Sequence, residues 1–231
     1  MRRLLVIGVL AIGACAKEVT APRVLRVVPI PEVGVFSASA QTLPTAYGDW
    51  GTVGHAVATK AMVVDQDDNP VPGVRVAWAV EGGAGSLDAP ATVTDSTGIA
   101  SVNWTLDTIA RLDSLRASIA SGASLVLVAS GTHGAEGSAT KVSGDGQKVA
   151  PGATSTPLVI RVADQYGNPI GGVFVAWAAI HGGTLSSATT TTDASGMAQV
   201  TLATGSAPAT YTVVATLGAL PAVTFTVTAA R

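Results

Sequence analysis

The stretch Asp65-Gln66-Asp67-Asp68-Asn69-Pro70-Val71-Pro72-Gly73-Val74-Arg75-Val76-Ala77-Trp78 returns 99 residues later. There it reads Asp164-Gln165-Tyr166-Gly167-Asn168-Pro169-Ile170-Gly171-Gly172-Val173-Phe174-Val175-Ala176-Trp177, with nine of fourteen positions identical. Each copy reads as a β-strand ending at an aspartate, a turn, and a second strand that carries a tryptophan inward. Asn69 and Asn168 precede proline, which drives them towards extended backbone. The left-handed position therefore falls one residue earlier, on Asp68 in the first copy and Gly167 in the second, residues that take positive φ at modest or no cost. Gly73 and Gly172 then open the next strand, at a candidate bulge.

Working outward, the pleat is the same in both copies. Thr59, Ala61 and Val63 match Leu158, Ile160 and Val162 as inward residues, with Lys60, Met62, Val159 and Arg161 outward. After the turn, Val74, Val76, Trp78 and Val80 match Val173, Val175, Trp177 and Ala179. Alternation of period two on both sides of a turn marks half-buried strands. A second shared phrase, Thr94-Asp95-Ser96-Thr97-Gly98-Ile99-Ala100, matches Thr192-Asp193-Ala194-Ser195-Gly196-Met197-Ala198 and feeds the strands Ala100, Val102, Trp104 and Ala198, Val200, Leu202. Leu115, Ala117 and Ile119 then pair with Val213, Ala215 and Leu217, and the closing strands run from Leu125 to Ala129 and from Val223 to Val227. Upstream, Gly48-Asp49 matches Gly144-Asp145, ahead of the first long strand. About seven short strands per ~95 residues, separated by Gly, Asp and Asn turns, predict an Ig-like sandwich in each copy.

Composition agrees. Only 12% of the 231 residues are charged, and a Thr- and Val-rich chain favours strands over helices. The formal charge of −2 moves to about −4 if Arg2 and Arg3 leave with a leader. Nucleic-acid binding, which needs a positive footprint, is not expected.

The chain begins Met1-Arg2-Arg3 and continues through a short apolar run, Leu4 to Ala14, to its single cysteine, Cys15. That order is a basic segment followed by an apolar segment, as in an export signal. Ile12-Gly13-Ala14-Cys15 resembles the lipobox of bacterial lipoproteins. The resemblance implies lipid attachment at Cys15, cleavage before it, and anchoring in the bacterial envelope. Ala16, in place of Asp, implies an outer-membrane destination by the enterobacterial sorting rule. Several acyl chains at ~0.8 kcal/mol per buried methylene give stable attachment where one is marginal. The expected organisation is a signal peptide over 1–14, an acylated Cys with a proline-containing tether over 15–38, Ig-like domain one over 39–131, a linker over 132–137 and Ig-like domain two over 138–231. Val24 to Val28 has strand-forming composition, but Pro22, Pro29 and Pro31 favour the tether reading.

The phrase D-x-x-G-N-P-x-x-G-V-x-V-x-W followed by T-D-x-x-G-x-A resembles the bacterial Ig-like domain of group 1, found in the rods of invasin and intimin adhesins. The resemblance implies two tandem all-β sandwiches and an adhesion-type or spacer role on the cell surface. Copy one departs at Asp68, where the family usually has Gly, and over Leu106 to Asp113, which lacks the usual Gly. Tyr211 resembles a tyrosine corner; copy one has Asp113 there, so the feature is not shared. With one cysteine there is no intradomain disulfide, and packing around Trp78 and Trp177 must supply stability.

Catalytic signatures are missing from the sequence. His55, His133 and His181 occupy unrelated positions, with no H-x-x-x-H, Cys/His cluster or G-x-S-x-G. Neither a catalytic residue, a metal site nor a cofactor is expected. Asp65, Asp67, Asp68 and Asn69 carry enough oxygen for a weak Ca²⁺ site, but copy two has lost two of the carboxylates, which favours a turn. Met62, Arg75, Arg161 and Phe174 are outward residues open to a contact surface. The expected partners are a membrane, through the lipid anchor, and an unidentified protein or glycan. Two further readings stay open: a periplasm-facing accessory subunit of an outer-membrane complex, and a carbohydrate-active enzyme, which lacks a paired-carboxylate constellation.

Overall fold

A computed structural model describes residues 25–29 and 45–231, with side chains at 25–28 and from 51 onward. Domain one contains β1 (Arg26–Pro29), β2 (Thr45–Thr52), β3 (Ala56–Val64), β4 (Arg75–Gly82), β5 (Ser86–Leu87), β6 (Ala91–Val93), β7 (Ile99–Thr105), β8 (Leu112–Ile119) and β9 (Ser124–Thr132). They form two sheets, β1-β3-β7-β5 and β2-β9-β8-β4-β6. Domain two contains β10 (Ser138–Ser143), β11 (Gln147–Val149), β12 (Leu158–Ala163), β13 (Phe174–Ile180), β14 (Thr184–Leu185), β15 (Thr189–Thr191), β16 (Met197–Val200), β17 (Leu202–Ala203), β18 (Ala209–Thr216) and β19 (Val223–Ala229). Its sheets run β10-β12-β16 and β11-β19-β18-β13-β15, with β14-β17 as a short ribbon. No helix occurs among the described residues. The architecture is two tandem Ig-like sandwiches.

The first strand of each domain is split between the sheets. In domain two β10 pairs with β12, then the chain crosses through Gly144-Asp145-Gly146 and β11 runs parallel to β19. Gly144 has φ +91°, and a Cβ there would stand 2.3 Å from Pro157 O, so only glycine fits the crossing. In domain one, Gly48 lies inside β2 instead, where the parallel register with β9 slips between Tyr47 and Asp49.

One segment departs from its sequence reading. Residues 26–29, assigned to the tether, form β1, which pairs antiparallel with β3. Val27 is buried in the core of domain one, and this apolar anchor outweighs the prolines, because Pro29 closes an edge strand where its missing N–H costs nothing. The leader, Cys15, the rest of the tether and a domain start at 39 lie outside the described residues.

The cores follow the pleat. Ala61, Val63, Val76, Trp78, Ala100, Val102, Leu115 and Ala117 are buried in one cluster, and Ile160, Val162, Val175, Trp177, Ala198, Val200, Val213 and Ala215 in the other. Trp78 and Trp177 each keep one polar atom satisfied, donating Nε1–H to Thr92 Oγ1 and Thr190 Oγ1 at 2.8 Å. Trp104 is the bulkier surprise of domain one, 1% exposed, with an unpaired Nε1. Domain two has Leu202 at that position and fills its core with Phe225, whose ring centre is 6.2 Å from that of Trp177.

Trp78→Ala is expected to remove about 3–5 kcal/mol from domain one. Calorimetry of the whole chain should then show one unfolding transition moved down and the other in place. Equal loss in both contradicts separate cores.

Candidate functional site

The shared phrase forms a turn built on a buried carboxylate. Asp65 is 3% exposed, and its Oδ1 accepts the N–H groups of Asp67 and Asn69 at 3.0 Å and Asn69 Nδ2–H at 3.2 Å. Asp164, 2% exposed, does the same for Tyr166 and Asn168 at 2.9 Å, and its Oδ2 takes Asn168 Nδ2–H and the Gly134 N–H at 2.9 Å. The left-handed residues are Asp68, φ +64°, and Gly167, φ +86°, as the prolines require. Gly73 and Gly172 have φ +74° and +81°.

The Thr-Asp phrase supplies the second staple. Thr94 Oγ1 donates to Val71 O at 2.8 Å and accepts the Val74 N–H at 2.9 Å; Thr192 repeats this with Ile170 O and Val173 N–H. Asp95 Oδ1 gathers the Thr97 hydroxyl and the Thr97 and Ile99 N–H groups, and Asp193 does so for Ser195 and Met197. The hydroxyls of Thr97 and Ser195, reinforced by these amides, hold both carboxyls below their ordinary pKa.

The remaining sequence candidates are dispersed. Asp67 and Asp68 are exposed, Asp68 pairs with Arg26, and Asp65 is already committed to amides. Among the described residues, no group of three or more His, Cys, Asp and Glu is placed to hold a metal. His55 Nδ1 lies 3.1 Å from Val53 O and His133 Nδ1 2.9 Å from Gly134 O, while His181 sits in a left-handed turn at φ +76°. Met62 and Arg161 lie on the β3 and β12 sheets, Arg75 and Phe174 on the opposite sheets, so they make no single surface.

What sequence reasoning missed is the joint between the domains. The segment Leu106 to Asp113, which departs from the family pattern, reaches domain two. Ala110 donates its N–H to Asn168 Oδ1 at 2.9 Å, and Asn168 Nδ2–H goes to Thr108 O at 2.7 Å. Asn168 is buried; Asn69 is exposed. Beside this contact, a cleft of about 330 Å³ is lined by Thr52, Val53 and His55, the linker from Gly134 to Gly137, and Gln165 and Tyr166. The signal in the sequence was the departure of 106–113 from copy two, which marks a loop under a different constraint.

The corner that carries this loop also resolves the Tyr211 comparison. Tyr211 OH accepts the Gly205 N–H at 2.8 Å, six residues upstream. Asp113 Oδ2 accepts the Asp107 N–H at 2.9 Å, again six residues upstream. The corner is therefore shared in function although not in residue. Burial alone would raise the Asp107 pKa, but Arg111 and the Thr108 and Ile109 N–H groups outweigh it and hold the carboxyl below its ordinary value.

Both repeats match the profile of the bacterial Ig-like domain (group 1), over residues 54–133 and 138–229. The chain belongs to this family. Among solved structures the group 1 pair is similar to the Escherichia coli adhesin FdeC, with 21% identity over 84% of this chain and 67% of that one, at TM-score 0.61. It is also similar to Yersinia pseudotuberculosis InvD, with 18% identity, 77% and 54% coverage and TM-score 0.51. The D00-D0 domains of intimin align at 16% identity over 87% of this chain and 99% of that one, TM-score 0.44. No curated protein matches by sequence.

Burial opposes ionisation of Asp164, yet the donors Asn168, Gly134 and Tyr166 prevail and hold its pKa below the ordinary value. A depressed folded pKa gives stability that is fully present above the unfolded value, about 4, and is lost as pH falls through the folded one. Asp164→Ala should therefore lower the melting temperature of domain two at pH 7, with a smaller deficit at pH 3. Thermal scans at both values check this, and a deficit independent of pH contradicts it.

Proposed function

We propose that the chain is a lipid-anchored protein of the bacterial cell envelope whose two group 1 Ig-like domains act as a non-catalytic spacer and adhesion-type binding module. The observation that carries this reading is where the shared polar residues go. Asp65, Thr94, Asp95, Asp164, Thr192 and Asp193 are all committed to backbone amides and carbonyls of turns, so the repeated chemistry builds scaffold. The family supports an envelope setting, and the leader with Cys15 supports the anchor. Of the related structures, FdeC is described as an adhesin. Display on the outer surface, with contact to a protein or glycan, fits that company; the alternative is a periplasm-facing subunit of an outer-membrane complex.

Mass spectrometry of the protein from membranes should find an acylated N-terminal Cys15, and an unmodified chain retaining Met1 contradicts the anchor. Protease treatment of intact cells should remove the protein. Survival on intact cells, with digestion only after the outer membrane is opened, transfers it to the periplasmic reading.

A further inference from the structure

Asn168 belongs to the phrase both copies share, yet only in domain two does it meet another domain. Asp164 receives its N–H and one Nδ2 proton, each at 2.9 Å, which fixes the plane of the side-chain amide before any contact across the joint. The amide then spends its remaining donor on Thr108 O and its acceptor on the Ala110 N–H. Asn69 is gripped by Asp65 in the same way but stands exposed.

The receiving loop is specialised to match. Asp107 accepts the Thr108 N–H at 2.6 Å and the Ala84 N–H at 3.2 Å and pairs with Arg111; Asp113 accepts the Asp107 N–H, and its Oδ1 lies 3.5 Å from Arg111 Nε. Both aspartates are buried, and the guanidinium between them offsets their charge. In domain two the corner is Tyr211, and the position matching Ala110 is Pro208, which has no N–H to give. The gripping loop therefore has no counterpart at 204–211 of domain two. A Cβ on Gly54 would stand 2.5 Å from Tyr166 OH, so the absence of a side chain there lets the domains close.

We propose that Asn168 is a latch that sets the angle between the two domains, with Asp107, Arg111 and Asp113 as positioning residues that present the 108–110 backbone to it. The short linker gives the two surfaces a high effective concentration, so two hydrogen bonds suffice for a contact that separate molecules would not hold. Each bond biases the joint a few-fold to about tenfold towards the closed state.

Residual dipolar couplings of the full chain, fitted separately for each domain, test this. Wild type should need one alignment tensor for both domains. Asn168→Ala should need two, with couplings inside each domain preserved. Asn69→Ala carries the same turn defect without the clasp and should keep one tensor. Ala110→Pro removes a single donor, leaves both turns intact, and should also decouple the domains, which decides the matter if Asn168→Ala fails to fold. Arg111→Gln should decouple them in part. Two tensors in wild type, one tensor retained in Ala110→Pro, or decoupling in Asn69→Ala would each overturn the latch.

Discussion

A buried carboxylate gathering turn amides is the constraint on which each domain depends. β3 and β12 end in one sheet; β4 and β13 begin in the other. The turn between them is therefore the place where the chain changes layer, and Asp65 or Asp164 fixes its shape by accepting two backbone N–H groups and an asparagine amide. Thr94 and Thr192, on the return crossing from β6 to β7 and β15 to β16, tie that crossing to the first one. With both crossings laced, the sheets have one offset, and Trp78 and Trp177 enter a cavity of defined width. Hydroxyl partners for their indole N–H groups remove the penalty of burying them. No disulfide is needed to set this geometry.

Much of this was legible because the chain states it twice. A position that alternates inward in one copy is ambiguous; the same alternation in both fixes the pleat, and so Ala61, Val76 and Ala117 could be placed with Ile160, Val175 and Ala215. The left-handed residues were legible because proline restricts its predecessor. Within domain one, three features were not. β1 was hidden by prolines, since an edge strand tolerates them and a tether contains them. The weight of Trp104 was hidden because its partner position holds Leu202, and comparison rewards identity. The role of Asp113 was hidden for a related reason: carboxylate and phenol oxygens accept the same N–H, so unlike residues close like corners.

The joint shows how a duplicated scaffold acquires a difference. Asn168 has the same local task as Asn69, but its second donor and its acceptor are turned to domain one, where 106–113 differs from 204–211 and meets them. Sequence comparison between copies reads such an asparagine as pure turn, because its local bonds account for its presence. Only the placement of the preceding domain shows the second use. For a protein whose proposed work is to hold a surface at a distance from a membrane, the angle at this joint is as consequential as the stability of either sandwich.

The most direct measurement is the native-state hydrogen exchange of the Ala110 amide. That N–H lies in a loop and has a side-chain oxygen of the other domain as its acceptor. Protection well above that of an exposed loop amide is expected, lost when Asn168 is replaced by alanine and kept when Asn69 is. Exchange of Ala110 at the rate of an open loop in the wild-type chain would contradict the latch.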